Sequence, residues 1–123
     1  MSPCYCGSQR PFSGCCEPYI IGKKQAPTAE ALMRSRYSAY VVCAADYLVQ
    51  TTHQSTRNLH KKSDILEWAK SNNWTKLEIV ETTSTTVTFN AFYTDKKGLA
   101  SVHVEKSSFV LENGSWFYVD GEY

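Results

Sequence analysis

Glu105-Lys106-Ser107-Ser108-Phe109-Val110-Leu111-Glu112-Asn113-Gly114-Ser115-Trp116-Phe117-Tyr118-Val119-Asp120 is the stretch from which the fold is read. Asn113-Gly114 between two apolar, β-prone runs signals a two-residue hairpin, because both residues tolerate the positive φ that such a turn requires. Closing the turn there sets Glu112 against Ser115, Leu111 against Trp116, Phe109 against Tyr118 and Ser107 against Asp120. One sheet face then carries Glu105, Ser107, Phe109, Leu111, Trp116, Tyr118 and Asp120, apolar near the turn and polar at the far end. That gradient suits a cavity with an aromatic wall and a polar end. The opposite face takes Lys106, Ser108, Val110, Phe117 and Val119. A bulge before Phe109 would move Glu105 and Ser107 to the other side.

Upstream, the same period-two pattern continues. Leu77 and Ile79 alternate with charges, and Val87, Phe89, Ala91 and Tyr93 alternate with threonine and asparagine. Asp95-Lys96-Lys97-Gly98 reads as a turn. Before the strands, Ser63-Asp64-Ile65-Leu66-Glu67-Trp68-Ala69 predicts a helix capped by Ser63 and ending near Asn72-Asn73. Ala26-Pro27-Thr28-Ala29-Glu30 reads as a linker into an earlier helix, with Thr28 as its cap and Glu30 against its positive end. Leu32, Met33, Arg36, Tyr37, Tyr40 and Val41 give this helix one broad inner face. Arg34 or Arg36 either snorkels at the surface or directs a guanidinium into a cavity floored by the sheet. A short helix around Asp46-Tyr47-Leu48-Val49 follows. Cys43 is read as an inert thiol on a helix.

The N-terminal residues follow a different logic. Cys4 and Cys6 are one residue apart, then come eight residues, then Cys15 and Cys16. Four thiols so spaced can close around a tetrahedral zinc ion, and the alternative is redox-active or incidental thiols. Residues 1 to 24 hold few large apolar side chains, and segments below about 40 residues rarely fold on a hydrophobic core alone. Metal binding worth roughly 10 to 16 kcal/mol would supply the difference. With all four positions filled by cysteine, catalysis at the metal is not expected.

Composition excludes some classes of function. With 42% hydrophobic and 13% aromatic residues in 123, the chain can bury a real core. No apolar run approaches the roughly 18 residues of a membrane span. Met1-Ser2-Pro3-Cys4 lacks the pattern of a secretory signal, so a cytoplasmic location is expected, where clustered cysteines are metal ligands before they are disulfides. The net charge of +1, with no basic stripe, carries no strong nucleic-acid signature, although a local contact to ribosomal RNA stays open.

Cys4-x-Cys6-Gly7-Ser8, Phe12 and Cys15-Cys16 resemble the SEC-C zinc motif, with Gln9 and Arg10 where that motif usually has glycine and lysine. The resemblance widens downstream. Leu32-Met33-Arg34-Ser35-Arg36-Tyr37-Ser38-Ala39-Tyr40, Ala45-Asp46-Tyr47-Leu48, His53, Trp74, Val87-Thr88-Phe89, Glu105 to Phe109 and Trp116 to Gly121 resemble the YchJ-like family of small bacterial proteins. That resemblance implies an α+β fold in two parts. Residues 1–24 would form a zinc-stabilised SEC-C segment. Residues 25–123 would form a nuclear-transport-factor-2-like domain, a cone-like arrangement of helices packed on a curved antiparallel sheet. Thr52 stands where relatives commonly have tryptophan, which implies a larger or shifted cavity.

The expected metal ligands are Cys4, Cys6, Cys15 and Cys16, with zinc as a structural cofactor. The candidate pocket residues are Arg34, Arg36, Tyr37, Tyr40, His53, Trp74, Glu105, Ser107, Phe109, Trp116, Tyr118 and Asp120. Asp46, His53, Glu105 and Asp120 are the acid/base candidates, and His103 is set aside as lying beyond the polar end. His53 between two helices reads more readily as a structural hydrogen-bonding residue, and Glu105 reads equally as the partner of an arginine in an ion pair. No activated nucleophile is visible, so no catalytic residue is assigned. Two functions follow. The first, favoured by the sequence, is an adaptor whose metal segment, with Arg10, Lys23 and Lys24, docks on another protein or on the ribosome. The second is a small-molecule-binding or catalytic domain that uses the polar and aromatic sheet face.

Overall fold

Four antiparallel strands form one sheet in sequence order: β1 (Asn73–Thr82), β2 (Thr86–Thr94), β3 (Ala100–Glu112) and β4 (Ser115–Glu122). The structure is a computed structural model and describes residues 3–122. Local chemistry sets each turn. Asn113 and Gly114 take φ of +52° and +80° and close the last hairpin with Glu112 opposite Ser115. The Asp95 carboxylate accepts from the backbone N–H of Lys97 and Leu99 at 2.9 and 3.0 Å, fixing the turn between β2 and β3.

The hairpin register holds from Glu112 to Phe109, which faces Tyr118, and then slips. Ser108 pairs with Asp120 and Ser107 with Gly121, leaving Val119 as the extra residue of a bulge on β4. The expected Ser107–Asp120 pair is therefore corrected. The bulge has a partner for its freed backbone: the Thr56 hydroxyl donates to the Val119 carbonyl at 2.7 Å. Because the extra residue lies on β4, alternation along β3 is intact, and Glu105, Ser107 and Phe109 share the buried face.

Among the described residues, five α-helices accompany the sheet. They are α1 (Glu17–Ile20), α2 (Ala29–Val41), α3 (Ala45–Gln50), α4 (Gln54–Arg57) and α5 (Lys62–Ser71). The Thr28 hydroxyl accepts from the Ala31 N–H at 3.0 Å, so α2 starts as its sequence predicts. It ends in a left-handed turn in which the Ala44 N–H donates to the Ala39 carbonyl at 2.8 Å. Cys43 occupies that turn at φ +59° and is half-buried, not on a helix as expected. The N-cap of α5 is Lys61, with no side-chain cap, so Ser63 lies within the first turn instead of capping it. A parallel bridge joins the α3–α4 connection to the sheet edge. The Tyr118 N–H donates to the Thr51 carbonyl and the His53 N–H to the Tyr118 carbonyl, both at 2.7 Å.

Buried Leu32, Met33 and Tyr37 of α2 and Leu48 of α3 meet Leu77, Val87, Phe89 and Phe109 of the sheet. Cys4, Cys6, Cys15 and Cys16 belong to the same buried cluster. The cysteine segment is thus held against α2 and the sheet. Among the described residues, no helix is long and apolar enough to cross a membrane.

Candidate metal centre and cavity

Local backbone geometry gathers the cysteines. The Cys4 N–H donates to the Arg10 carbonyl at 2.7 Å, closing a loop in which Gly7 and Gln9 take φ of +84° and +70°. Gln9 thus adopts the left-handed conformation that glycine, its counterpart in the SEC-C motif, takes without strain. A 3-10 turn, Phe12–Gly14, then delivers Cys15, and Cys16 forms the N-cap of α1. All four cysteines are buried, with ligand atoms within 4.8 Å of one another. Cys6 Sγ lies 3.6 Å from Cys15 Sγ, which lies 3.9 Å from Cys16 Sγ. A tetrahedron with metal–sulfur bonds near 2.3 Å requires sulfurs about 3.8 Å apart, so the donor set fits a thiolate-bound metal ion.

Surrounding groups hold these cysteines. Ser8 Oγ is 3.0 Å and Arg10 Nη2 3.7 Å from Cys15 Sγ, and Ser38 Oγ is 3.6 Å from Cys4 Sγ. Arg34 donates to the Cys6 carbonyl through Nη1 at 2.7 Å and to Glu30 through Nε at 2.9 Å. A hydrogen bond from Cys16, only partly opposed by burial, holds the Cys6 thiol down at about 4. The same bond and burial push Cys16 up, and burial pushes Cys15 up. A bound cation would let these packed thiols ionise together.

On the far side of α2, a cavity of about 300 Å³ opens between the helices and the sheet. Its polar end is built on Glu105. Burial pushes this carboxyl up, but hydrogen bonds from His103 Nε2 at 2.8 Å, Ser107 at 2.6 Å and Tyr118 at 3.1 Å outweigh it and hold it below the usual range. Gly121 leaves the room: a Cβ there would fall on the Glu105 carboxylate. Arg36, only 7% exposed, donates through Nη1 to the Leu48 carbonyl at 2.9 Å and to Thr51 Oγ1 at 2.6 Å. Its guanidinium carbon lies 4.5 Å above the Tyr118 ring. No ion pair joins Arg36 to Glu105 among the described residues; Tyr118 couples them, stacking on one and donating to the other. Burial pushes the Arg36 guanidinium down, and burial together with Arg36 does the same to His60.

The other wall is aromatic. Trp68 and Trp74 pack edge to face at 5.7 Å, and Tyr37 and Tyr40 lie against Trp74 at 6.4 and 5.8 Å. The buried Trp74 Nε1 has no hydrogen-bond partner among the described residues. Burial pushes the Tyr37 hydroxyl up to about 12.

Of the residues expected at a pocket, Arg36, Tyr37, Tyr40, Trp74, Glu105, Ser107 and Tyr118 line this cavity. The others lie elsewhere. Arg34 braces the cysteine segment. His53 accepts from the Ser55 N–H to cap α4 and pairs with Glu112 at 2.6 Å. Phe109 is core beside Tyr118. Trp116 donates its Nε1–H to the Pro27 carbonyl at 3.2 Å, because the twisted hairpin carries its apolar end past the cavity onto the linker. Asp120 is exposed, since the β4 bulge turns it away from Ser107. Asp46 pairs with Lys62 at the surface. Thr52 is buried and donates to the Leu48 carbonyl beneath Arg36. Sequence reasoning did not bring in Met33, His60, Ile65, Trp68, Phe89, Ala91 and His103, which also line the cavity. For His103 the signal was present: it shares the Glu105 face by simple alternation.

Comparison with known proteins agrees with this architecture. The family model for the YchJ middle, NTF2-like domain matches residues 28–121. A UPF0225 protein of Vibrio cholerae is 36% identical, and the match spans 98% of this chain and 82% of the relative. A SEC-C motif containing protein from Rhodopseudomonas palustris, solved in solution, superposes with a TM-score of 0.90 at 32% identity, covering 98% of both chains. A SEC-C motif containing protein from Psychrobacter arcticus superposes with a TM-score of 0.80 at 28% identity, covering 98% of this chain and 81% of that one. A cysteine-bearing segment joined to an NTF2-like helix-and-sheet domain, matched over this length, makes the chain a member of the YchJ-like family.

Proposed function

We propose that this protein is a zinc-stabilised small-molecule-binding domain, in which Cys4, Cys6, Cys15 and Cys16 hold the ion and the cavity over Glu105 and Arg36 receives the ligand. Tetrahedral four-thiolate sites hold zinc or iron, and the resemblance to the SEC-C motif favours zinc. The ion would fix the N-terminal segment, since no fifth group is needed to complete its shell. The observation that carries the ligand-binding reading is the cavity itself, enclosed between aromatic side chains and a set of convergent polar groups. It reverses the preference drawn from sequence. The adaptor reading keeps one supporting observation, the exposure of Arg10, Lys23 and Lys24 on the cysteine segment. A reducing, cytoplasmic setting suits the free thiols.

Fragment screening by amide NMR on the metal-loaded, full-length protein tests the proposal. Binding fragments should move the amide signals of Met33, Phe89 and His103 around the cavity and leave those of Val102 and Val104, on the exposed sheet face, in place. Fragments that move only the latter pair would contradict it. Elemental analysis of the purified protein should find one zinc per chain.

A further inference from the structure

Arg36 is more than nine-tenths buried, yet every hydrogen bond it makes to the described residues leaves from Nη1, toward Leu48, Thr51 and Thr52. Its Nε and Nη2 donate to none of them. The Nε–H and the adjacent Nη2–H of a guanidinium point the same way and form a side-on fork matched to the two oxygens of a carboxylate. Glu105 does not take that fork. Its Oε1 is engaged by His103 and its Oε2 by Ser107 and Tyr118. Arg36 lines the cavity, so an acceptor placed there can reach these unused donors.

The remaining wall specifies the rest of the ligand. Trp68, Trp74 and Phe89 offer apolar ring surface beside the cation. Trp74 Nε1 is buried with no hydrogen-bond partner among the described residues. At about 300 Å³ the cavity is at the small end of ligand sites, room for one ring system and a short arm. A dianion would meet the Glu105 charge in the same enclosure, and a cation would meet Arg36.

We infer that the cavity binds a small aromatic monocarboxylate, its two oxygens on the Nε/Nη2 edge of Arg36 and its ring against Trp68 and Trp74. This inference rests on the cavity being a ligand site and adds the class of ligand.

The test is NMR titration of the metal-loaded, full-length protein with three probes that share a ring and arm length: phenylacetate, phenylacetamide and phenethylamine. Phenylacetate should shift the Arg36 Nε–H and Trp74 Nε1–H signals and bind at least about tenfold more tightly than the amide, the margin expected of a charge-assisted fork. Arg36→Lys keeps the charge and removes the fork, so it should abolish that margin while leaving the amide spectrum folded. If that variant does not fold, the response of the wild-type Arg36 Nε–H decides alone. Equal binding of the amide or the amine would overturn the carboxylate inference and leave the ligand-binding reading standing. No response to any probe at millimolar concentration would overturn both.

Discussion

Arg34 and Arg36 stand two positions apart on one helix and serve opposite ends of the molecule. At the cysteine end, Arg34 has an acceptor on Nε and another on Nη1, and the thiols are surrounded by Ser8, Ser38 and Arg10. At the cavity end, Arg36 uses one nitrogen and leaves two nitrogens without a described partner. On the proposed reading, the difference separates a site that completes the fold from one that is open to a ligand. A closed donor set has no position left for a substrate, whereas unused donors in a low-dielectric enclosure have affinity to offer.

The largest expected effect falls on the closed end. Removing the metal, or replacing Cys6 and Cys16 with serine, should take away most of the roughly 10 kcal/mol that such sites contribute and release the N-terminal segment from α2. Chelator-dependent thermal denaturation measures it. A midpoint unchanged by chelation would erase the contrast between the two ends. Next in size is Gly121→Ala. Its methyl group must displace the Glu105 carboxylate, so denaturant unfolding should show a loss of about 1 to 3 kcal/mol. An unchanged midpoint would mean that Glu105 is not pinned where the cavity needs it.

Acid titration sharpens the comparison further. The Glu105 carboxyl lies below its ordinary value of 4.5 in the fold, so the unfolded chain binds more protons than the native one near that pH. Stability from this group is complete above the ordinary value and drains as pH falls through it toward the folded one. Glu105→Gln should therefore flatten part of the decline in melting temperature between about pH 6 and pH 3. A decline as steep as in the wild type would remove Glu105 from the account. The smallest effect belongs to Gln9→Gly, which relieves the left-handed strain of a non-glycine residue and should add less than about 1 kcal/mol.

Local chemistry made much of this legible from sequence. Thr28 marks the start of α2, Asn113-Gly114 fixes the hairpin through Phe109–Tyr118, and the cysteine spacing marks the buried thiol cluster. What alternation does not reveal is where a strand gains a residue. The bulge at Val119 depends on the Thr56 hydroxyl, distant in sequence, and it exchanges Asp120 for Gly121 beneath Glu105. Helical spacing also leaves Arg34 and Arg36 unresolved, because their roles depend on which neighbour each meets. Trp68 was within reach, lying three residues beyond Ile65 on the inner side of α5. Alternation does not say where the polar end stops, and the bond of His103 to Glu105 carries that end further along β3.

Two side chains in one sample tell the two ends apart. In a spectrum resolving both arginine Nε–H signals of the metal-loaded protein, added phenylacetate should move Arg36 and leave Arg34, already bound to Glu30, where it was. Movement of Arg34 with Arg36 unmoved would contradict the assignment of a structural end and a ligand-binding end.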